Sequence, residues 1–157
     1  MAIARKKFSD TISVIARIDD ALERNETFES AYSLYIDTLD ENVLSLLPGK
    51  LPTRFIMKRH LDYNAAKALR TDQAGVGVNG MPELRLGFML EDVRLSLVGI
   101  ENPADLPADE HIKFEKGRDG YASKELIAYL NNIGVVNDLF AARNNSTNQT
   151  TELQKKS

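Results

Sequence analysis

The stretch ELRLGFMLEDVRLSLV, which runs from Glu83 to Val98, has the strongest helical pattern in this sequence. Its large apolar residues recur at three- and four-residue spacing, as they do on the buried face of an amphipathic helix. Pro82 suits the first turn of such a helix, and Gly99 is placed to end it. We therefore predict that this helix forms the spine of the core. The residues on its buried face are Leu86, Met89, Leu90, Val93 and Leu97.

Two more helices are predicted towards the C-terminus. Ser123 can cap a helix that ends near Gly134, and a last short helix covers Val135 to Arg143. The connection that precedes them, Glu101 to Gly120, contains two prolines and two glycines. It predicts an irregular loop with at most one short strand, at Ile112 to Phe114. The C-terminal half is thus predicted to be mostly α-helical.

The residues before the spine helix mix helical and strand patterns. Thr27 to Leu39 places its apolar residues on one helical stripe, and Asp62 can cap a helix over Tyr63 to Thr71. Between these two segments, the apolar runs Val43 to Leu47 and Arg54 to Lys58 are joined by a sequence rich in turn residues. This arrangement predicts a β-hairpin.

The segment from Thr11 to Ile18 has two interpretations. Its β-branched residues alternate largely as they do in a strand. Apolar residues between Ile15 and Leu22 also lie at helical spacing, so a helix from Thr11 to Glu23 is the alternative. With the strand, the fold class is α+β: a small β-hairpin or sheet followed by a mostly helical C-terminal half.

The chain length of 157 residues suits a single domain. We predict that this domain covers residues 1–143. The last residues, 144–157, read NNSTNQTTELQKKS and contain one large apolar residue. Such a segment cannot bury enough apolar surface to offset its ordering entropy, so we predict a disordered C-terminal tail.

The composition argues against nucleic-acid and membrane binding. The formal charge is −3, and the main basic run, Arg5-Lys6-Lys7, is shorter than the basic patches of nucleic-acid-binding domains, so we interpret it as a solvated arm. No apolar run reaches the roughly 18 residues of a membrane span. The absence of cysteine indicates a reducing cytosol.

No catalytic, cofactor-binding or metal site is predicted, so we expect a protein that is not an enzyme. Gly75 to Gly80 spells GxGxxG, but a polar helical pattern precedes it where the dinucleotide-binding motif needs a strand. We interpret it as a flexible loop. His60 and His111 lie in unrelated segments, and neither has a second histidine at the spacing of a metal site on a helix.

Three stretches carry a family resemblance. They are PGKLPTRFIMK at Pro48 to Lys58, LSLVGIENP at Leu95 to Pro103, and the closing helical pair at Ser123 to Arg143. The first is similar to the PG-x-x-PT-x-F strand-turn-strand segment of the tail assembly chaperones of long-tailed bacteriophages. The second is similar to the helix-end LVG-x-EN pattern of that family. The resemblance covers about residues 8–143.

The resemblance implies a non-catalytic role in virion assembly. A member of this family is expected to bind the tape-measure protein in the host cytoplasm and to promote polymerisation of the tail-tube protein around it. Self-association is compatible with this role. The family often extends a minority of its chains by a ribosomal frameshift, for which Lys155-Lys156 is a candidate position. The alternative function is that of a structural virion component, such as a head–tail connector or a minor tail protein.

Four aromatic residues are the candidates for protein contacts. Tyr32 and Tyr35 belong to the first predicted helix, Phe55 to the hairpin and Phe140 to the last helix. The alternative is that they belong to the core, because aromatic stripes at helical spacing usually face inward.

Overall fold

The computed structural model describes residues 10–74 and 82–156, with side chains described over residues 10–69 and 85–147. Short 3-10 helices lie at Glu41–Val43 and Ala108–Glu110. No helix within the described ranges is long and apolar enough to cross a membrane. The longer elements are β1 (Thr11–Val14), α1 (Phe28–Thr38), β2 (Arg54–Lys58), α2 (Tyr63–Ala74), α3 (Pro82–Ser96), β3 (Leu97–Glu101), α4 (Lys124–Asn132) and α5 (Val136–Lys156).

The three strands form one antiparallel sheet with β2 in the centre. On one side Thr11 lies opposite Lys58, and on the other Phe55 lies opposite Ile100. Alternate side chains of β1 and β2 point into the core, as the two-residue period of a strand requires. The predicted α+β fold is confirmed. The strand at Thr11 is confirmed as well, and the alternative helix over that segment is wrong.

One face of the sheet packs against the helices of the C-terminal half, and the main core lies between them. Val93 on α3, Leu130 on α4 and Leu139 on α5 are fully buried there. Burial of a side chain of this size contributes roughly 1.5–3 kcal/mol. A second apolar cluster lies under α1, beside the end of β1. It consists of Ile15, Leu22, Phe28, Tyr32 and Tyr35.

Helix α3 is central, as predicted, but its two ends differ from the prediction. The helix stops at Ser96 instead of Val98, and β3 begins at the next residue. The hydroxyl of Ser96 donates to the carbonyl of Asp92 at 2.8 Å, a side-chain bond that competes with helix continuation. At the other end Leu86, which was predicted to be buried, is exposed. The buried side chains described on α3 therefore lie in its second half.

A buried ion pair joins α3 to α5. Asp92 is 1% exposed, and its carboxylate accepts two hydrogen bonds from the guanidinium of Arg143, one of them 2.9 Å long at Nε. A further nitrogen of Arg143 donates to the carbonyl of Arg59, just after β2, at 3.4 Å. Burial raises the pKa of Asp92, and the hydrogen bonds from Arg143 oppose that rise. We call these contacts the α3–α5 seam.

Helix α5 extends past the predicted domain end at Arg143. Asn145 donates to the carbonyl of Ile36 on α1 at 3.2 Å, and Thr147 donates to the carbonyl of Arg59 at 3.2 Å. Ser146 is buried and bonded to the guanidinium of Arg59. The packed body therefore reaches at least Thr147. The predicted start of the tail at Asn144 is too early, because three polar residues of its first turn find partners on the body.

The predicted β-hairpin is wrong. Arg54–Lys58 is strand β2, but its neighbours are β1 and β3, so both of its edges are occupied. The run from Val43 to Leu47 instead forms a bridge to the segment after β1, at Leu46 and Leu22. The described segment Ile112 to Phe114, predicted to hold at most one short strand, holds none. Long-range pairing thus decides which apolar runs become strands.

Two of the predicted helix caps are confirmed. Asp62 accepts a hydrogen bond from the backbone N–H of Ala65 at 2.8 Å, and Ser123 accepts one from Leu126 at 3.1 Å. Gly134, with φ at +81°, follows the end of α4 in the left-handed conformation that favours glycine. Thr27 precedes α1 without a side-chain cap bond, because its hydroxyl donates to the side chain of Asn25 instead.

Candidate functional site

An open groove lies where three loops meet one end of the core. Its volume is about 570 Å³. The loop after β1 contributes Ile18, the loop before β2 contributes Leu51, and the loop after β3 contributes Ile112. Phe55 and Val135, both buried, form part of its floor. We call this feature the groove.

The apolar walls of the groove are unusually exposed for side chains of their size. Ile18 is 50% exposed and Leu51 is 56% exposed. A single exposed leucine is ordinary on a protein surface, but two large apolar walls around an apolar floor form a concave patch. The surface of the groove is nearly half polar, so these side chains are apolar walls within a mixed depression, a composition that suits binding of a segment with both kinds of residue.

Asp19 holds the first two walls together. One of its carboxylate oxygens accepts from the backbone N–H of Ala21 at 2.9 Å, and the other accepts from Thr53 at 2.8 Å. The loop that carries Ile18 is thereby fastened to the loop that carries Leu51. Because both oxygens are occupied by backbone donors, Asp19 positions the walls.

Asn102 holds the third wall. Its side-chain amide donates to the carbonyl of Ile112 and its side-chain oxygen accepts from the N–H of the same residue, both at 3.0 Å. Within the loop that this pair closes, a ring nitrogen of His111 lies 2.7 Å from the carbonyl of Leu106. The groove is therefore formed before a partner arrives, which lowers the entropy cost of binding.

The rim of the groove carries negative charge. Asp20, Asp105 and Glu110 are exposed, and none of the three forms an ion pair within the described part of the chain. Among the described residues, Lys50 is the one basic residue that lines the groove. We call the three carboxylates the acidic rim.

Two of the predicted contact residues, Tyr32 and Tyr35, lie in the core. The hydroxyl of Tyr35 accepts from the N–H of Ile15 at 2.8 Å, and that of Tyr32 donates to the carbonyl of Ile15 at 2.9 Å. Both tyrosines thus satisfy backbone groups where the edge strand β1 ends. Burial raises the pKa of both hydroxyl groups, that of Tyr35 to about 12. Neither side chain is exposed to a partner in this conformation.

The other two predicted contact residues also belong to the interior. Phe55 is buried on β2 and reaches the groove only as part of its floor. Phe140 on α5 is partly buried and packs edge-to-face on Phe88 of α3, with 6.2 Å between the ring centroids. The burial of these four aromatic residues favours the core alternative, and Phe55 alone among them also lines the groove.

The segments weighed for chemistry remain apart. His60 is exposed and His111 is bonded within its own loop. No group of three or more metal-ligating side chains occurs among the described residues. Gly75 to Gly80, interpreted as a flexible loop, and Arg5-Lys6-Lys7, interpreted as a solvated arm, lie outside the described residues.

Sequence reasoning missed two of the residues that form the walls of the groove. Ile18 was counted in a strand that ends earlier, at Val14. Leu51 lies between Lys50 and Pro52 in a turn sequence, where a large apolar residue fits no buried stripe. That mismatch was the one signal in the sequence that could have identified an exposed apolar wall.

Comparison of the chain with protein-family models, with curated proteins and with solved structures gave no match. The resemblance to phage tail assembly chaperones therefore stays a prediction.

Proposed function

We propose that this protein is a non-catalytic chaperone of phage tail assembly. In this proposal the groove holds a segment of the tape-measure protein in the host cytoplasm while tail-tube subunits polymerise around it. The observation that carries the proposal is a preformed groove with two apolar walls, Ile18 and Leu51, that are about half exposed. The motif resemblance supplies the identity of the client.

The shape of the groove supports reversible binding. Burial of two aliphatic side chains and part of the floor contributes roughly 25 cal/mol per Å² of apolar surface, and part of that gain is offset by the cost of association. The preformed walls reduce that cost. A chaperone has to release its client, so a small apolar site of moderate affinity suits this role.

The test is a pull-down from phage-infected cells with the protein as bait, followed by mass spectrometry of the bound proteins. The groove variant carries Ile18→Ser and Leu51→Ser. A matched control carries Leu34→Ser and Tyr63→Ser, which remove exposed apolar side chains that do not line the groove. We expect the wild type and the control to recover the tape-measure protein and the groove variant to lose it.

Mass spectrometry of purified virions separates the chaperone from the alternative. A chaperone is absent from finished particles, whereas a head–tail connector or minor tail protein is present in them. Recovery of the tape-measure protein by the groove variant would contradict the proposed site. Recovery of no phage protein by the wild type would contradict both functions.

A further inference from the structure

Acidic side chains outnumber basic ones among the described residues that line the groove. A second depression, of about 520 Å³, lies beside it and shares Glu110 and Ile112 with it. Seven carboxylates and two lysines line the two depressions together, a formal excess of five negative charges. For comparison, the formal charge of the whole chain is −3. This face, which we call the acidic face, therefore carries a local excess of negative charge.

Some carboxylates elsewhere in the protein form ion pairs. Glu29 pairs with Arg17, Glu41 with Arg54, and Asp92 with Arg143. The acidic rim has no such pairing within the described ranges. Unpaired like charges around one groove repel one another, and a cation between them relieves that repulsion.

We propose that the groove binds a positively charged segment of its client, in which lysine or arginine residues flank large apolar side chains. This inference rests on the proposed function, since it specifies the chemistry of the client at the same site. The apolar side chains of the segment would pack between Ile18 and Leu51. Its cationic groups would lie at the acidic rim, within reach of Asp20, Asp105 and Glu110.

The second depression extends the same chemistry. Asp109, Glu115 and Glu125 line it, and Tyr129, which is exposed, presents an aromatic ring there. A segment that leaves the groove across residues 109–112 would meet three further carboxylates and a ring suited to cation–π contact. The groove selects the apolar residues of the segment, and the acidic face selects its charge.

Charge pairs at an exposed rim are individually weak, typically about 0.2–1 kcal/mol, and salt screens them. The acidic rim is therefore expected to act mainly on partner selection and association rate. Two predictions separate it from the apolar walls. Removal of the rim charges weakens cationic partners selectively, and high ionic strength does the same.

The experiment uses two fluorescein-labelled peptides and the full-length protein, with binding followed by fluorescence polarisation. In one peptide leucines alternate with lysines, and in the other every lysine is replaced by glutamate. The rim variant carries Asp105→Asn and Glu110→Gln. The control carries Glu23→Gln and Glu26→Gln, which remove the same charge from two exposed residues that do not line either depression.

We expect the lysine peptide to bind the wild type and the control at least tenfold more tightly than the glutamate peptide. The rim variant should bind the lysine peptide about five- to tenfold more weakly, as two exposed charge contacts allow. That difference between the variants should shrink at high salt.

Three results would overturn the inference. Equal binding of the two peptides, with weakening only by Ile18→Ser and Leu51→Ser, would leave the groove as a client site without charge selection, so the proposed function would survive. Failure of both peptides to bind would overturn the inference alone if the pull-down still depends on the groove. A rim variant that loses self-association in analytical ultracentrifugation, with peptide binding unchanged, would assign the acidic rim to a second copy of this chain.

Discussion

The α3–α5 seam and the groove differ in the burial and the pairing of their charged side chains. In the seam, Asp92 and Arg143 are almost completely buried, and each hydrogen-bonds the other. At the groove, the carboxylates of the acidic rim are exposed and have no ion pair within the described residues. The charged groups of the seam contact each other within the fold, whereas the carboxylates of the acidic rim are accessible to a partner. Substitutions in the two regions should therefore have separable effects on stability and on binding.

The largest effect is expected from breaking the seam. Arg143→Ala leaves the carboxylate of Asp92 buried without its partner, which should lower the free energy of unfolding by about 3–5 kcal/mol. Denaturation with urea measures this change. The double variant Arg143→Met with Asp92→Leu removes both charges and should recover most of the loss. A double variant as unstable as the single one would show that packing, and not the unpaired charge, determines the cost.

Alkaline pH tests the buried region, because ionisation of Tyr35 would place a negative charge there. Tyr35 has a pKa of about 12 in the folded protein, raised from an ordinary 10 by burial. The unfolded chain therefore loses the phenolic proton first, so the stability that this group contributes is present below pH 10 and is lost as the pH rises towards 12. The loss should reach about 3 kcal/mol.

Denaturation curves recorded across that pH range measure this loss. Tyr35→Phe has no proton to release, so its stability should fall less steeply with pH than that of the wild type. At neutral pH the same variant should be less stable, because the backbone N–H of Ile15 loses its acceptor. Parallel pH profiles for the two proteins would contradict the raised pKa.

A smaller effect on stability is expected from substitution of Asn102, which holds one wall of the groove. Asn102→Ala removes both hydrogen bonds to the backbone of Ile112 and should cost about 1–2 kcal/mol, with weaker client binding as the wall loosens. Amide hydrogen exchange at Ile112 should accelerate. Asn102→Asp keeps the oxygen that accepts from this amide and should preserve more of its protection. Unchanged exchange in Asn102→Ala would mean that the wall is held by other contacts.

The smallest effect on stability is expected at the apolar walls. Ile18→Ser and Leu51→Ser change side chains that are already half exposed, so the free energy of unfolding should shift by only about 0.5 kcal/mol at each site. Client binding should nevertheless be lost. A cost of several kcal/mol in urea denaturation would show that these residues are packed, and the groove would then be part of the core.

The parts of the fold that sequence could predict are those with local signals. Asp62 and Ser123 cap their helices through bonds to residues three positions away, and Gly134 adopts the left-handed conformation that its type favours. The spine helix was recognisable because its apolar spacing repeats over several turns. Such features depend on neighbours in the chain and are visible in a single sequence.

The sheet and the site depend on contacts between distant segments, and for that reason they were missed. Strand β3 directly follows a helical pattern. Leu97, which that pattern assigns to the buried face of the helix, is also buried as the first residue of the strand. The partner of β2 was misassigned because β3 lies about forty residues further along the chain. Ile18 and Leu51 lie in the same groove because Asp19 joins their loops. No residue spacing in the sequence predicts that contact.

The most direct test of the groove as the client site is photo-crosslinking in phage-infected cells. A photoreactive phenylalanine analogue is placed at position 51, and in a control protein at position 34 on the exposed face of α1. We predict that position 51 crosslinks to the tape-measure protein and that position 34 does not. Crosslinks of equal yield from both positions, or from position 34 alone, would contradict a client site in the groove.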